Sequence, residues 1–498
     1  MPSIGVIGCG TVGACLVAAL AARAEQFAGP NELVLVDRLE GRWRGRAYQR
    51  DTEMVLANGP MIGMSLHHNE PEHGVRWAEN KGLAVHPDER GVHRFLPRPV
   101  YGDYLVDGVE EALASLRAAG WTIRSIEEMA TGVDRDGSGV VIHSASETVR
   151  VDHAVLCLGG RADNDVYGLR GTPGYIDDPY PLRDALAQVP ADAEIAVIGS
   201  GMIATDVLVA LRSMGHRGRV TLASRSGLLP SVRRKAVPVR PSVLTAETLA
   251  RLPKPLRLAD IGRLAEKEVS AAGEDFAAIL TDIMEPEPAE ERLRRQLADA
   301  LSPGIGTQLL QRAVIDIGQD LWLALHEGDK ERVLRTLHSR LWSFASPIPQ
   351  TTAATLVEMY DEKRLCVRAG IETVERGPAG VGFRVRYAGG EDDRVSLVIN
   401  AVTSVYRPEP PAAGGLLGLA RTAGVLADHP HGGIRVEEKS GKAVDPAGQA
   451  DERLFVLGEL TRGAYYFVSA VAAFTRRADE IAASLTGLQA SADLPAAH

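Results

Sequence analysis

The chain is poor in cysteine, in aromatic residues and in positive charge. Four cysteines in 498 residues, Cys9, Cys15, Cys157 and Cys366, form no Cys-x-x-Cys pair. That excludes a disulfide-stapled scaffold and a local redox dithiol, and it suits a cytoplasmic protein with buried thiols. Lys and Arg number 55 against 65 Asp and Glu, a net charge of -10, which argues against nucleic acid or an anionic membrane surface as partner. No apolar run is long enough to cross a bilayer. The apolar N-terminus lacks a basic leading region and a cleavage site, so it reads as a strand rather than a signal peptide. No His, Cys, Asp and Glu spacing suggests a metal site. At 498 residues the chain outgrows a single core, and two or three domains are expected.

Glycine is abundant, and two glycine-rich turns are the strongest signals. The first is Ile4-Gly5-Val6-Ile7-Gly8-Cys9-Gly10-Thr11-Val12-Gly13, the second Ile195-Ala196-Val197-Ile198-Gly199-Ser200-Gly201-Met202-Ile203-Ala204. Each is a short apolar run, then Gly-x-Gly-x-x-Gly or Ala, then an apolar helix-like stretch. In a dinucleotide-binding turn the first glycine permits the tight bend, and the second lets the backbone approach a pyrophosphate. The third, or Ala, lets the helix pack closely on the strand. The free N–H groups of the helix then face the phosphates. Two such turns imply two dinucleotides.

The strand after each turn distinguishes them. Glu32-Leu33-Val34-Leu35-Val36 ends in Asp37, an acid placed to accept hydrogen bonds from the adenosine ribose, as in FAD or NAD sites. Arg219-Val220-Thr221-Leu222-Ala223 ends in Ser224 and Arg225. A carboxylate would repel a 2′-phosphate, whereas a guanidinium pairs with it. FAD is therefore expected at Gly8, Gly10, Gly13 and Asp37, and NADPH at Gly199, Gly201, Ala204, Ser224 and Arg225. Disulfide reductases share the two-turn plan but need a cysteine pair beside the flavin, which is missing here.

These signals predict an α/β fold: two Rossmann-like dinucleotide-binding domains with a helical insertion. Closing strands are expected over 151–160 and 395–403, each after a hairpin-like stretch (Gly132 to Val151; Val381 to Val395). The FAD domain is read as 1–174 with 406–490, and the NADPH domain as 175–405. Helical leucine spacing at Leu293, Leu297, Leu301 and at Leu321, Leu325 marks an insertion at about 242–342. Residues 491–498 are expected to be a disordered tail. Near the C-terminus a buried strand ends in Gly458-Glu459, and an Ala-rich helix runs to about Leu485. Gly159, Gly458 and Glu459 are expected to complete the flavin site, with a helix N-terminus aimed at the isoalloxazine to stabilise the anionic reduced form.

The stretches Gly45-Arg46-Ala47-Tyr48, Leu56-Ala57-Asn58-Gly59-Pro60 with Met64-Ser65, Trp77, Phe95-Leu96-Pro97-Arg98 and Tyr101-Gly102-Asp103-Tyr104-Leu105 resemble a family of bacterial FAD/NAD(P)-binding proteins. Asp206, Gly215-His216 and Gly227-Leu228-Leu229-Pro230 are similar to that family's NADPH segment. The resemblance covers most of the chain apart from the insertion. The family lies close to flavin-dependent monooxygenases, including those that hydroxylate amine or amino-acid nitrogens. It implies FAD contacts from Arg38, Ala47 and Tyr48, and places Asn58 beside the isoalloxazine as the best catalytic candidate. There are two departures. The Phe-x-Gly-x-x-x-His linker of Baeyer–Villiger enzymes is absent, Asp177-Asp178-Pro179-Tyr180-Pro181-Leu182 standing in its place. Asn400-Ala401-Val402-Thr403-Ser404 lacks a glycine that relatives carry, which puts close cofactor approach there in doubt.

The expected chemistry is NADPH reduction of FAD, reaction with dioxygen to a flavin hydroperoxide, and oxygen transfer to the nitrogen of a small amine or amino acid, in a bacterial biosynthetic pathway. The cofactors carry that chemistry, while the protein excludes water and delivers a deprotonated nucleophile. Arg98, Arg233 and Arg234 are candidates for a substrate carboxylate, and Tyr465 and Tyr466 for a pocket wall. His67 and His68 read as solvated loop residues. The partners expected are a small-molecule substrate and dioxygen, with homo-oligomerisation left open. The alternatives are an FAD oxidase or dehydrogenase without oxygen transfer, and a non-catalytic redox-sensing flavoprotein.

Overall fold

The structure is a computed structural model that describes residues 2–27, 31–137, 139–159, 165–377, 380–402 and 415–487. Gly160, Thr403, Ser404, the 405/406 boundary and the 491–498 tail lie outside the described residues.

Strand β1 (Ser3–Ile7) is buried along its whole length, as its continuous apolar run requires. Helix α1 (Thr11–Ala22) follows and leads to β2 (Glu32–Val36), parallel to β1. Val12 to Leu20 of α1 are all buried, so this helix is a core element rather than an amphipathic one. Helix α2 (Arg98–Ala118) leads to β3 (Thr122–Ile126), which pairs with the outer side of β2. An antiparallel meander, β4 (Gly132–Arg135), β5 (Val140–His143) and β6 (Thr148–Val151), precedes β7 (His153–Leu156), which returns beside β1.

The second half repeats the plan. Strands β8 (Tyr175–Ile176), β9 (Ile195–Ile198), β10 (Val220–Ala223), β11 (Leu365–Arg368) and β15 (Leu397–Asn400) form a sheet in the order β11-β10-β9-β15-β8, with every pairing parallel. Helix α3 (Met202–Ser213) links β9 to β10. A second meander, β12 (Ile371–Arg376), β13 (Phe383–Tyr387) and β14 (Asp392–Val395), packs on this sheet through Val374, Phe383 and Val385. The chain then returns to the first sheet as β16 (Lys442–Val444) and β17 (Ala450–Val456), giving the order β16-β17-β7-β1-β2-β3. The last helix, Val471–Leu485, packs against α1. This is the expected α/β architecture with two dinucleotide-type sheets.

Between β10 and β11 lies a run of helices from Ala246 to Ala345, including Ile305–Ala324 and His338–Ala345. Leu293 is buried, but the helix holding it ends at Ala298, and Leu301 is 52% exposed. The insertion is anchored on the C-terminal helix of the first half, not only on its own domain. Asp320 pairs with Arg476 at 2.7 Å, Gln319 Nε2 donates to Phe467 O at 2.9 Å, and Arg477 Nε donates to Gln319 Oε1 at 2.8 Å.

Candidate functional site

A cleft of about 1640 Å³ opens beside the carboxyl ends of β1, β2 and β7 and reaches the start of α3. That is where open α/β sheets bind ligands, and it exceeds the roughly 300–1,000 Å³ of a drug-sized site.

At the first turn Gly8 has φ +96°, and a Cβ there would lie 2.8 Å from Cys157 O. A Cβ on Gly13 would lie 2.4 Å from Gly8 O, so the third glycine sets how closely α1 approaches β1. Gly10 precedes α1 with no side-chain cap, and no acid occupies the first turn. Its N–H groups are thus left for an outside acceptor. A Cβ on Gly10 would lie 3.2 Å from Gly45 Cα, because the loop carrying Gly45 crosses over the turn. Asp37 Oδ2 accepts from Cys9 N–H at 2.7 Å, and Oδ1 from Arg38 N–H at 2.8 Å. A carboxylate offers about four lone-pair sites, so capacity for a ribose diol is left. Gly8, Gly10, Asp37, Arg38, Ala47, Tyr48, Gly159 and Glu459 all line the cleft. Gly458, at φ +86°, packs on Val12, with a Cβ position 2.9 Å from that side chain. Helix Val471–Leu485 also starts uncapped, and Ser469 to Phe474 line the same cleft.

The second turn is built likewise. Gly199 has φ +114°, and a Cβ there would meet Ala401 O at 2.9 Å. Helix α3 starts after Gly201 without a side-chain cap or an acid in its first turn. A Cβ on Gly201 would meet nothing within 4 Å, so this N-terminus faces open space. Ala204 is fully buried under the turn. The uncapped α1 and α3 and the open Gly201 fit two nucleotide phosphates. Ser224 braces the turn: its Oγ accepts from Gly227 N–H at 2.9 Å and lies 2.8 Å from Ser200 Oγ. Arg225 is exposed and lines a neighbouring pocket of about 520 Å³.

Asn58 lies where the two halves meet. Its Nδ2 is 2.6 Å from Met202 Sδ at the start of α3, and its carbonyl accepts from Arg233 Nη2 at 2.7 Å. Arg233 also lines the cleft, its Nε has no hydrogen-bond partner, and burial pulls its pKa down to about 10. Arg234 reaches Asp299 O at 3.4 Å and is not on the cleft wall.

The three substrate candidates, Arg98, Tyr465 and Tyr466, differ in where the structure places them. Arg98 is 8% exposed and pairs with Asp206 of α3 at 2.8 Å. Its charge joins the two halves, while the side chain also lines the cleft and its Nε has no hydrogen-bond partner among the described residues. Tyr180 OH also donates to Asp206, and burial pushes that carboxyl up against the pull of Arg98. Tyr465 is buried behind the cleft, donating to Glu438 O at 2.9 Å under the Arg477 guanidinium. Tyr466 is fully buried and stacks on Trp322 with ring centroids 4.5 Å apart. Its φ of +61°, a strained value for a non-glycine residue, turns the chain so that Phe467, not Tyr466, lines the cleft. His67 and His68 are half-buried, not solvated; burial lowers His67 to about 4, and neither lines the cleft.

Sequence reasoning missed the contribution of the insertion: Val314, Ile315, Gln319 and Trp342 all face the cleft. No local signal in the block set Gln319 and Trp342 apart from its other glutamines and its other tryptophan, Trp322. Cys157 lines the cleft, but burial raises its thiol well above the ordinary value, so it stays protonated. Among the described residues there is no cluster of three His, Cys, Asp or Glu able to hold a metal, and no helix long and apolar enough to cross a membrane.

Residues 5–161 match the model of an FAD-NAD(P)-binding family, which makes the N-terminal region an FAD-NAD(P)-binding domain. No curated protein matches the sequence. Among solved structures, the fold is similar to ornithine hydroxylase PvdA from Pseudomonas aeruginosa, at 15% identity and TM-score 0.58 over 98% of both chains. It is also similar to L-lysine 6-monooxygenase from Pseudomonas syringae, at 14% identity and TM-score 0.56 over 97% and 98% of the two chains. The ornithine N-hydroxylase KtzI from Kutzneria sp. 744, whose structure holds reduced FAD, NADP+ and L-ornithine, matches at 14% identity and TM-score 0.55 over 97% and 98%. At such identities the likeness is one of fold.

Proposed function

We propose that this protein is an FAD-dependent, NADPH-consuming monooxygenase that hydroxylates the nitrogen of a small, carboxylate-bearing amine. The observation that carries the reading is a single cleft bounded by both turns, with Asn58 of the first half against Met202 of the second. The fold likeness to ornithine and lysine hydroxylases supports the substrate class, and their full-length overlap supports the same domain plan. Gly8, Gly10, Asp37 and Glu459 would hold FAD, and the start of α3 with Arg225 would hold NADPH. Bound together, the two cofactors supply hydride transfer and oxygen activation.

The chain's own residues position and exclude. Asn58, fixed through its carbonyl by Arg233, directs an amide into the meeting point of the two halves. Phe467 and Trp342 close the cleft with apolar surface, which keeps water from the reacting centre. Of the three arginine candidates, Arg98, Arg233 and Arg234, Arg233 is the best placed for a substrate carboxylate, since it lines the cleft and its guanidinium has no acid partner among the described residues. The amine must be neutral to act as a nucleophile, so the rate should rise with pH through the pKa of the bound amine.

The test is to mix the yellow holoenzyme with NADPH in air and follow flavin bleaching, oxygen uptake and peroxide, with and without amino acids and diamines. Oxygen uptake that an amino acid couples to hydroxylamine formation supports the reading. Peroxide alone across the panel, together with a deaminated or desaturated product, favours the oxidase alternative.

A further inference from the structure

Beside the cleft is a second pocket of about 520 Å³, lined by Arg225 and Ser226 after β10 and by Arg335, His338, Ser339 and Arg340 of the insertion. Arg225 occupies the position that reads the adenosine ribose in this fold. Arg335 is exposed and makes no salt bridge among the described residues. Arg340 donates one Nη1 bond to Ile283 O at 3.2 Å, with its charge likewise unpaired by an acid. The carboxylate on the wall, Glu287, is held by Arg295 at 2.5 Å. His338 is kept neutral, with a pKa of about 4, by burial and by the nearby Arg225 charge. Arg225 and these insertion residues line the same pocket. Three cations therefore converge where a neutral or acidic lining would serve an unphosphorylated ribose as well.

We infer that the helical insertion completes a 2′-phosphate site: Arg335 and Arg340 close over the adenosine end of NADPH opposite Arg225. This rests on the reading of the second turn as the NADPH site and deepens it. The insertion then has two tasks, lining the cleft through Gln319 and Trp342 and reading the coenzyme through Arg335. Guanidinium–phosphate contacts are charge-assisted and often bidentate, so each should show in affinity.

Calorimetric titration of the purified holoenzyme with 2′,5′-ADP and with 5′-AMP tests this without turnover. The expected result is tighter binding of 2′,5′-ADP, a preference that weakens as salt rises. Arg335→Gln should weaken 2′,5′-ADP about tenfold and leave 5′-AMP unchanged, while Arg335→Lys should retain most of the affinity. Arg335→Gln binding 2′,5′-ADP like the wild type, while Arg225→Gln does not, would overturn the role of the insertion and leave the NADPH reading standing. A wild-type protein that binds 5′-AMP but shows no preference for 2′,5′-ADP would overturn the NADPH reading, and this inference with it.

Discussion

The two glycine turns are built on one backbone plan yet prepared for different ligands. Both place a positive-φ glycine against a carbonyl of the closing strand, Gly8 on Cys157 and Gly199 on Ala401. Both start an uncapped helix. They part at the end of the next strand, where Asp37 faces the first turn and Arg225 a cationic pocket beside the second. They part also at their middle glycines, since Gly10 lies under the Gly45 loop while Gly201 faces open space. The lesson is that the strand-turn-helix unit supplies phosphate binding generically. What differs is what other segments bring to each turn: the 40–48 loop and the C-terminal helix line the cleft at the first, and the helical insertion lines the pocket beside the second.

The third turn position offers the sharpest way to break that comparison. It is Gly13 in the first turn and Ala204 in the second. Gly13→Ala would place a Cβ 2.4 Å from Gly8 O, so we expect colourless, poorly folding protein. Ala204→Gly should cost only about 1 kcal/mol from the helix and keep flavin bound. Flavin content and soluble yield after purification read both.

The next effect in size concerns how the halves are joined. Arg98→Met leaves Asp206 buried without its cation, and breaking such a pair costs about 3–5 kcal/mol. Urea unfolding should show that loss. Replacing Asp206 by Leu as well should restore most of it, because two apolar groups leave no charge uncompensated. An Arg98→Met protein as stable as wild type would show that this pair does not hold the halves together.

Arg225→Ala should then raise the Michaelis constant for NADPH about ten- to a hundredfold and leave NADH nearly unchanged, given roughly 1.5–3 kcal/mol for a charged hydrogen bond. The corresponding change in the first turn, Asp37→Asn, should weaken FAD and leave NADPH discrimination intact. Equal losses for both coenzymes in Arg225→Ala would show that Arg225 does not read the phosphate.

Four buried histidines add a pH dependence of stability. Burial lowers His67, His93, His338 and His429 to about 4, against an unfolded value near 6.5. Between those values the unfolded chain binds protons that the folded chain refuses. Stability is therefore complete above pH 6.5 and declines as pH falls toward 4. Melting temperatures measured from pH 8 to 5 should fall only over the acid part of that range, and His338→Gln should flatten the slope.

The sheets, both turns, the two meanders and the last helix were legible because each leaves a local pattern: apolar runs, glycines at fixed offsets, Asp/Gly turns. The cleft was legible on its first-half wall for the same reason. What escaped were choices made by partners distant in sequence. Arg98 read as a free cation because Asp206 sits on another domain's helix. Tyr465 and Tyr466 read as pocket aromatics because nothing local announces that Arg477 and Trp322 cover them. The insertion read only as a helical block because helical spacing shows which face is apolar but not which neighbour it meets.

The central claim is that the two turns serve one reaction in one cleft, with oxygen delivered to an amine nitrogen. Turnover of the holoenzyme with NADPH, an amino-acid substrate and heavy-isotope dioxygen, read by mass spectrometry of the product, tests it most directly. The account predicts one labelled oxygen on the product nitrogen, at a yield matching the NADPH consumed. Unlabelled product, with all the label recovered as hydrogen peroxide, would contradict it.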